Sequence, residues 1–183
     1  MRPPAWQSLP GPARVIGAAI THAVDAATES DGDRYRRAAA EVVALPSQVV
    51  GLVTAAVTRA LIEEQHPDGL DSDDVQVVLE RCYRGATAWL SAVDVRALLA
   101  VLANALGIHE PGLTYQQLEP LVAPEGDWPF EPGQANAPPS AAEFAWHAPL
   151  VIADLLATGD KPLSPYLDAA FADIARAETM ELP

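Results

Sequence analysis

The sequence predicts an all-α protein, a single-domain bundle of about seven helices with a proline-rich loop inserted before the last two. Three observations carry that expectation. Apolar residues recur at three- and four-residue spacing along most of the chain, no stretch of useful length alternates as a half-buried strand does, and capping and stop signals divide the periodic runs. The chain has 183 residues, half of them hydrophobic. That is enough for one well-cored domain, 1–183, which at this size buries roughly 70% of its unfolded surface.

Residues 1–11 read as an N-terminal extension. The first helix is expected from about Pro12 to Thr28, with Pro12 suited to the first turn and Val15, Ile16, Ala19, Ile20, Ala23 and Val24 on one stripe. The acidic turn from Glu29 to Asp33 ends it. A second helix, Asp33 to Ala44, places Tyr35, Ala39, Val42 and Val43 inward. Pro46 then breaks or kinks the run, because proline disfavours helical geometry in the residue before it. The third helix continues to about Gln65, with Val49, Val50, Val53, Ala56, Val57, Ala60 and Leu61 on its apolar face. Gly51, Ala55 and Ala56 would let another helix approach closely.

The fourth helix is the clearest, with Val75, Val78, Leu79, Cys82, Ala86, Trp89 and Leu90 at three- and four-residue spacing. Ser91 and Asp94 have the spacing of a capping box and open a fifth helix, closed by Gly107 in the left-handed position. That helix is apolar nearly all round and is expected to be the central, most buried one. A short helix, Thr114 to Leu121, is followed by the proline-rich loop 124–139, which has no helical period. Ser140 then caps a helix from Ala141 to Ala157, where Pro149 is expected to introduce a kink. Ser164 and Pro165 introduce the last helix, with Leu167, Phe171 and Ile174 at helical spacing.

Composition excludes several functions. Asp and Glu outnumber Lys and Arg by 25 to 11, a net charge of −14, so phosphate backbones and anionic membranes are repelled by the mean field. Neither nucleic acid nor membrane is an expected partner. Lys161 is the one lysine, the other basic residues being arginine, a bias of GC-rich bacterial genomes. The basic run Arg34, Arg36 and Arg37 reads as a solvated helix face. Residues 1–17 lack the apolar core of a secretory signal. The most apolar window, 49–58, falls short of the ~20 residues that span a bilayer, so a cytoplasmic protein is expected. Cys82, the single cysteine, allows no intramolecular disulfide and reads as a small buried hydrophobe on its helix stripe.

The stretch HPDGLDSDD, residues 66–74, comes nearest to chemistry, since it follows Glu63 and Glu64 directly. As an EF-hand loop starting at Asp68 it fails: the second position is Gly69, the sixth Asp73 and the twelfth Leu79, where glycine is required sixth and glutamate twelfth. Helix punctuation accounts for more of it. Asp71 or Ser72 caps the fourth helix, and Asp73 and Asp74 lie in its first turn, where the helix dipole favours carboxylates. Glu63 and Glu64 stand at the wrong end of the preceding helix for that dipole, so a cation is expected nearby: a divalent ion, an arginine of this chain such as Arg59, Arg81 or Arg84, or an arginine from a partner. The candidate metal ligands are Glu63, Glu64, Asp71 and Asp74, with Glu80 and His66 as further oxygen and nitrogen donors.

No serine elbow, phosphate loop or zinc-helix motif is present, and no cofactor is implied. Glu63 with His66 fits the carboxylate-bundle spacing once, and Glu143 is four residues from His147 where that motif needs three. His22 and His147 therefore read as hydrogen-bonded histidines in or beside the core. Trp128 and Phe130 in the loop either strap it to the body or contact a partner or ligand.

The leading expectation is a non-enzymatic soluble protein that binds another protein or self-associates, as a homodimer sharing faces of the third and fifth helices. One alternative is a small-molecule-binding domain, with a pocket between the third, fifth and Ala141–Ala157 helices lidded by Trp128 and Phe130. The other is a carboxylate-based divalent-metal enzyme at 63–74.

Overall fold

Side-chain oxygens and prolines set most of the helix starts. In the computed structural model, which describes residues 4–107 and 139–180, α1 (Gly11–Thr28) carries Pro12 in its first turn. α2 (Gly32–Val43) is capped by Asp31, whose carboxylate accepts from the Arg34 amide at 2.9 Å. α3 (Ser47–Gln65) follows Pro46, and its axis turns 119° from that of α2 at the break expected there. α4 (Ser72–Thr87) opens with a capping box, Asp71 accepting from the Asp74 amide and Asp74 from the Asp71 amide. α5 (Val95–Ala105) ends with Gly107 at φ 70°, the left-handed position. α6 (Ala141–Ala157) has a second capping box, between Ser140 and Glu143, and α7 (Ser164–Met180) carries Pro165 in its first turn.

Among the described residues the protein is all-α, with no strand. The expected helix Thr114–Leu121 and the loop, apart from Pro139, lie outside those residues. No single described helix is long and apolar enough to cross a membrane.

The central helix is α6, which packs against α1, α2, α3, α4 and α5. α5, expected in that place, buries only Val95, Ala97, Leu98, Val101, Leu102 and Ala105, leaving Leu99 and Leu106 half-buried. The physical reason is that α6 is enclosed nearly all round from Ala145 to Leu155, including His147 and Pro149, two residue types that interrupt an apolar pattern when read by type. The helix runs through Pro149, which removes the donor to the Ala145 carbonyl. The hydroxyl of Tyr35 donates to the adjacent Trp146 carbonyl.

Two further expectations are corrected. α5 starts at Val95, with Asp94 alone as its cap: the Asp94 carboxylate accepts from the Arg96 amide at 2.8 Å, and the Asp94 amide donates to His147, so no box forms with Ser91. Val15 is 53% exposed, while the rest of the expected α1 stripe, Ile16, Ala19, Ile20, Ala23 and Val24, is buried and continues to Ala27. The described part of the N-terminal extension is docked on the body. A short 3₁₀ turn, Ala5–Ser8, presses Trp6 into the body, where its amide donates to the Asp168 carboxylate of α7 at 2.7 Å. Gly17 of α1 makes room for the ring, since a Cβ there would lie 2.6 Å from it.

Candidate functional site

The acidic stretch resolves into two separate arrangements. Asp71 and Asp74 are spent on the cap of α4, with His66 Nδ1 3.9 Å from Asp74. Glu64 turns away to α7, accepting from Lys161 Nζ at 2.9 Å and from the Tyr166 hydroxyl at 3.0 Å. These two hydrogen bonds, Lys161 first, hold its carboxyl below the usual range. Glu63 is exposed, and Glu80 pairs with Arg84 at 3.0 Å. Among the described residues no group of three or more His, Cys, Asp or Glu side chains converges as a metal site.

Among the described residues the cation paired with Glu64 is Lys161. Arg59 donates to the Ala105 carbonyl at 2.7 Å and so closes the end of α5, and Arg81 reaches Asp154 of α6. The usable signal was the lone lysine, which sits in the turn before α7. Trp128 and Phe130 lie outside the described residues.

A different feature has the shape of a site. An open groove of about 170 Å³ lies between the C-terminal end of α1, the C-terminal half of α4 and the outward stripe of α6. Its walls follow helical register: Cys82, Gly85, Ala86 and Trp89 from α4 and the turn after it, and Leu150, Ala153, Asp154 and Ala157 from α6, with Ala27, Thr28 and Ser30 completing the rim. Residues at these spacings share a helix face. The groove exists because five of these side chains are alanine or glycine, so helices that flank α6 leave a gap between them.

Polar groups around the groove are largely committed. Asp154 accepts from Arg81 through Nε at 3.0 Å and Nη2 at 2.7 Å, a forked pair that ties α4 to α6. The Thr28 hydroxyl donates to the Val24 carbonyl at 2.9 Å. Cys82 is buried, and burial, followed by the nearby Asp154, pushes its thiol far above the ordinary range despite Arg81. The thiol is therefore protonated and a poor nucleophile. Trp89 is fixed edge-on against Tyr35, with ring centroids 5.5 Å apart.

Gly85 is the residue of this groove that reading by stripe overlooked. It stands in a helix interior, and a Cβ built on it meets nothing within 4 Å; the same holds for Gly51 of α3. Folding of this chain does not require glycine at either place, although glycine costs about 0.5–1 kcal/mol in a helix relative to alanine. Gly85→Ala and Gly51→Ala are each expected to raise stability by about that amount. Urea denaturation checks this, and a midpoint at or below the parent's would contradict it.

The chain matches no protein-family model, no curated protein and no solved structure.

Proposed function

We propose that this chain is a non-enzymatic helical protein that acts by binding another protein, and that the groove between α1, α4 and α6 receives an apolar side chain from a helix of that partner. The observation that carries the reading is the groove itself. At about 170 Å³ it is smaller than the ~300–1,000 Å³ of small-molecule sites, yet its small-residue walls and open Gly85 admit the close approach that helix packing needs. Its polar rim offers committed groups rather than a catalytic set. The charge of −14 favours a partner that is basic around the contact. It also opposes nucleic acid and anionic membrane.

Self-association is the second reading, favoured by one surface. Leu52 of α3 is 52% exposed beside half-buried Val49 and Ala56 and the open Gly51, so two copies could share that face as a homodimer.

Two variants separate the readings. Gly85→Leu fills the groove and Leu52→Glu charges the α3 face, and both sites have the room or exposure to leave folding intact. Light scattering after size exclusion and affinity capture from extract are the measurements. Loss of a captured protein in Gly85→Leu alone supports the groove, and a concentration-dependent dimer lost in Leu52→Glu alone supports self-association. A parent that stays monomeric at high concentration and retains no protein overturns both.

A further inference from the structure

Among the described residues His147 is the one buried histidine, 4% exposed on the central helix, and both of its ring nitrogens are engaged. Nδ1 lies 2.7 Å from the Glu143 carbonyl oxygen one turn earlier. A carbonyl only accepts, so Nδ1 carries the proton and Nε2 is left as an acceptor. Nε2 takes the backbone N–H of Asp94 at 2.9 Å.

Asp94 is the N-cap of α5, so this one bond fastens the start of α5, and the connection 88–94 that leads to it, onto α6. The cap is built around the same residue. Asp94 Oδ1 accepts from the Arg96 amide at 2.8 Å, Oδ2 pairs with the Arg96 guanidinium at 2.6 Å, and the Leu98 amide donates to the Asp94 carbonyl at 3.2 Å. A second proton on the imidazole would replace the acceptor at Nε2 with a donor facing another donor. One hydrogen bond would be lost and a part-buried amide left without that partner.

We propose that His147 is an acid-sensitive latch: protonation of its Nε2 releases the Asp94 amide and opens the 88–94 connection and the first turn of α5 from α6. The opening bares Leu90 and Val95, both buried in the closed state. It also loosens Trp89, which is held against Tyr35.

The charged groups around the ring agree with this direction. Asp94 from the connection and Glu143 from α6 favour the imidazolium, Arg96 of α5 offsets Asp94, and burial opposes the charged ring most strongly, so the folded imidazole binds its proton less readily than the ordinary side chain. The open state takes up the proton first as pH falls. The closed joint is therefore fully stable above the ordinary histidine value of about 6.5 and weakens below it, until the folded ring titrates as well. Burial works to raise the Asp94 carboxyl, but the Arg96 hydrogen bonds outweigh it, and Ser140 holds Glu143 down. Both carboxyls are thus held below their ordinary values, away from the ordinary histidine value at which the open state takes up its proton.

Amide hydrogen exchange read by NMR tests the latch. Between about pH 7 and pH 5, protection of the Asp94 and Leu98 amides, corrected for intrinsic exchange, is expected to fall by up to about tenfold per pH unit, the slope of one proton. In His147→Gln, whose side-chain oxygen accepts without titrating, protection is expected to be flat. Should that variant fail to fold, the parent suffices: the His147 ring protons and the Asp94 amide shift are expected to move together with one midpoint below about 6.5. Unchanged protection in the parent, the same pH slope in His147→Gln, or an Asp94 amide that ignores the ring's titration would each overturn the proposal.

Discussion

Trp6→Ala is expected to lower stability by about 3–5 kcal/mol, the range for truncating a buried aromatic side chain. The ring is 6% exposed between α1 and α7, so its removal empties a space that several core side chains line. Its indole Nε1–H is buried without a partner among the described residues, which places the cost toward the lower end, since truncation also removes that donor. The companion change is Gly17→Ala. In the parent a Cβ would lie 2.6 Å and 2.9 Å from ring atoms of Trp6, so the substitution forces the ring out and destabilises. In the Trp6→Ala background the same methyl enters the space the ring vacates and is expected to gain helix propensity, a stabilisation of up to about 1 kcal/mol. The sign of the Gly17 effect therefore reverses with the identity of residue 6. Urea midpoints of the four proteins measure this coupling, and additive changes would show that the N-terminal segment does not hold its tryptophan on Gly17.

The second large effect is at Tyr35. Its side chain is fully enclosed, and its ring meets Trp89 and Trp146 edge-on at centroid distances of 5.5 Å and 5.8 Å. Tyr35→Ala removes both aromatic contacts and the hydroxyl, with an expected loss of about 3–5 kcal/mol. Tyr35→Phe keeps the rings and gives up only the bond to the Trp146 carbonyl, a loss of about 1–2 kcal/mol. That carbonyl adjoins the one that Pro149 deprives of its donor, so the hydroxyl supports α6 where its own ladder is weakest. Equal losses in the two variants, measured by chemical denaturation, would mean that the hydroxyl rather than the rings carries the stability.

Much of the fold was legible because it rests on local rules. The Asp71 cap of α4, the Ser140 cap of α6, the break at Pro46 and the left-handed Gly107 all lie where residue chemistry places them. Each depends on a few neighbouring residues, and a cap or turn is a property of the local backbone. The capping reading of the acids at 71–74 held for the same reason, for Asp71 and Asp74 satisfy each other across three residues.

What the sequence determined by itself was therefore the helical class, most helix boundaries, the acidic character and the absence of familiar catalytic motifs. Which helix is central, which cation meets Glu64, and where a groove opens were decided only by tertiary structure. α6 is central because five helices pack around it, and no period along one helix reports how many neighbours it has. Lys161 meets Glu64 across 97 positions of sequence, and the groove forms where small residues of three separated helices fall opposite one another. These are relations between distant segments, set by how whole faces pack, whereas periodicity and capping record only what a residue asks of its own helix.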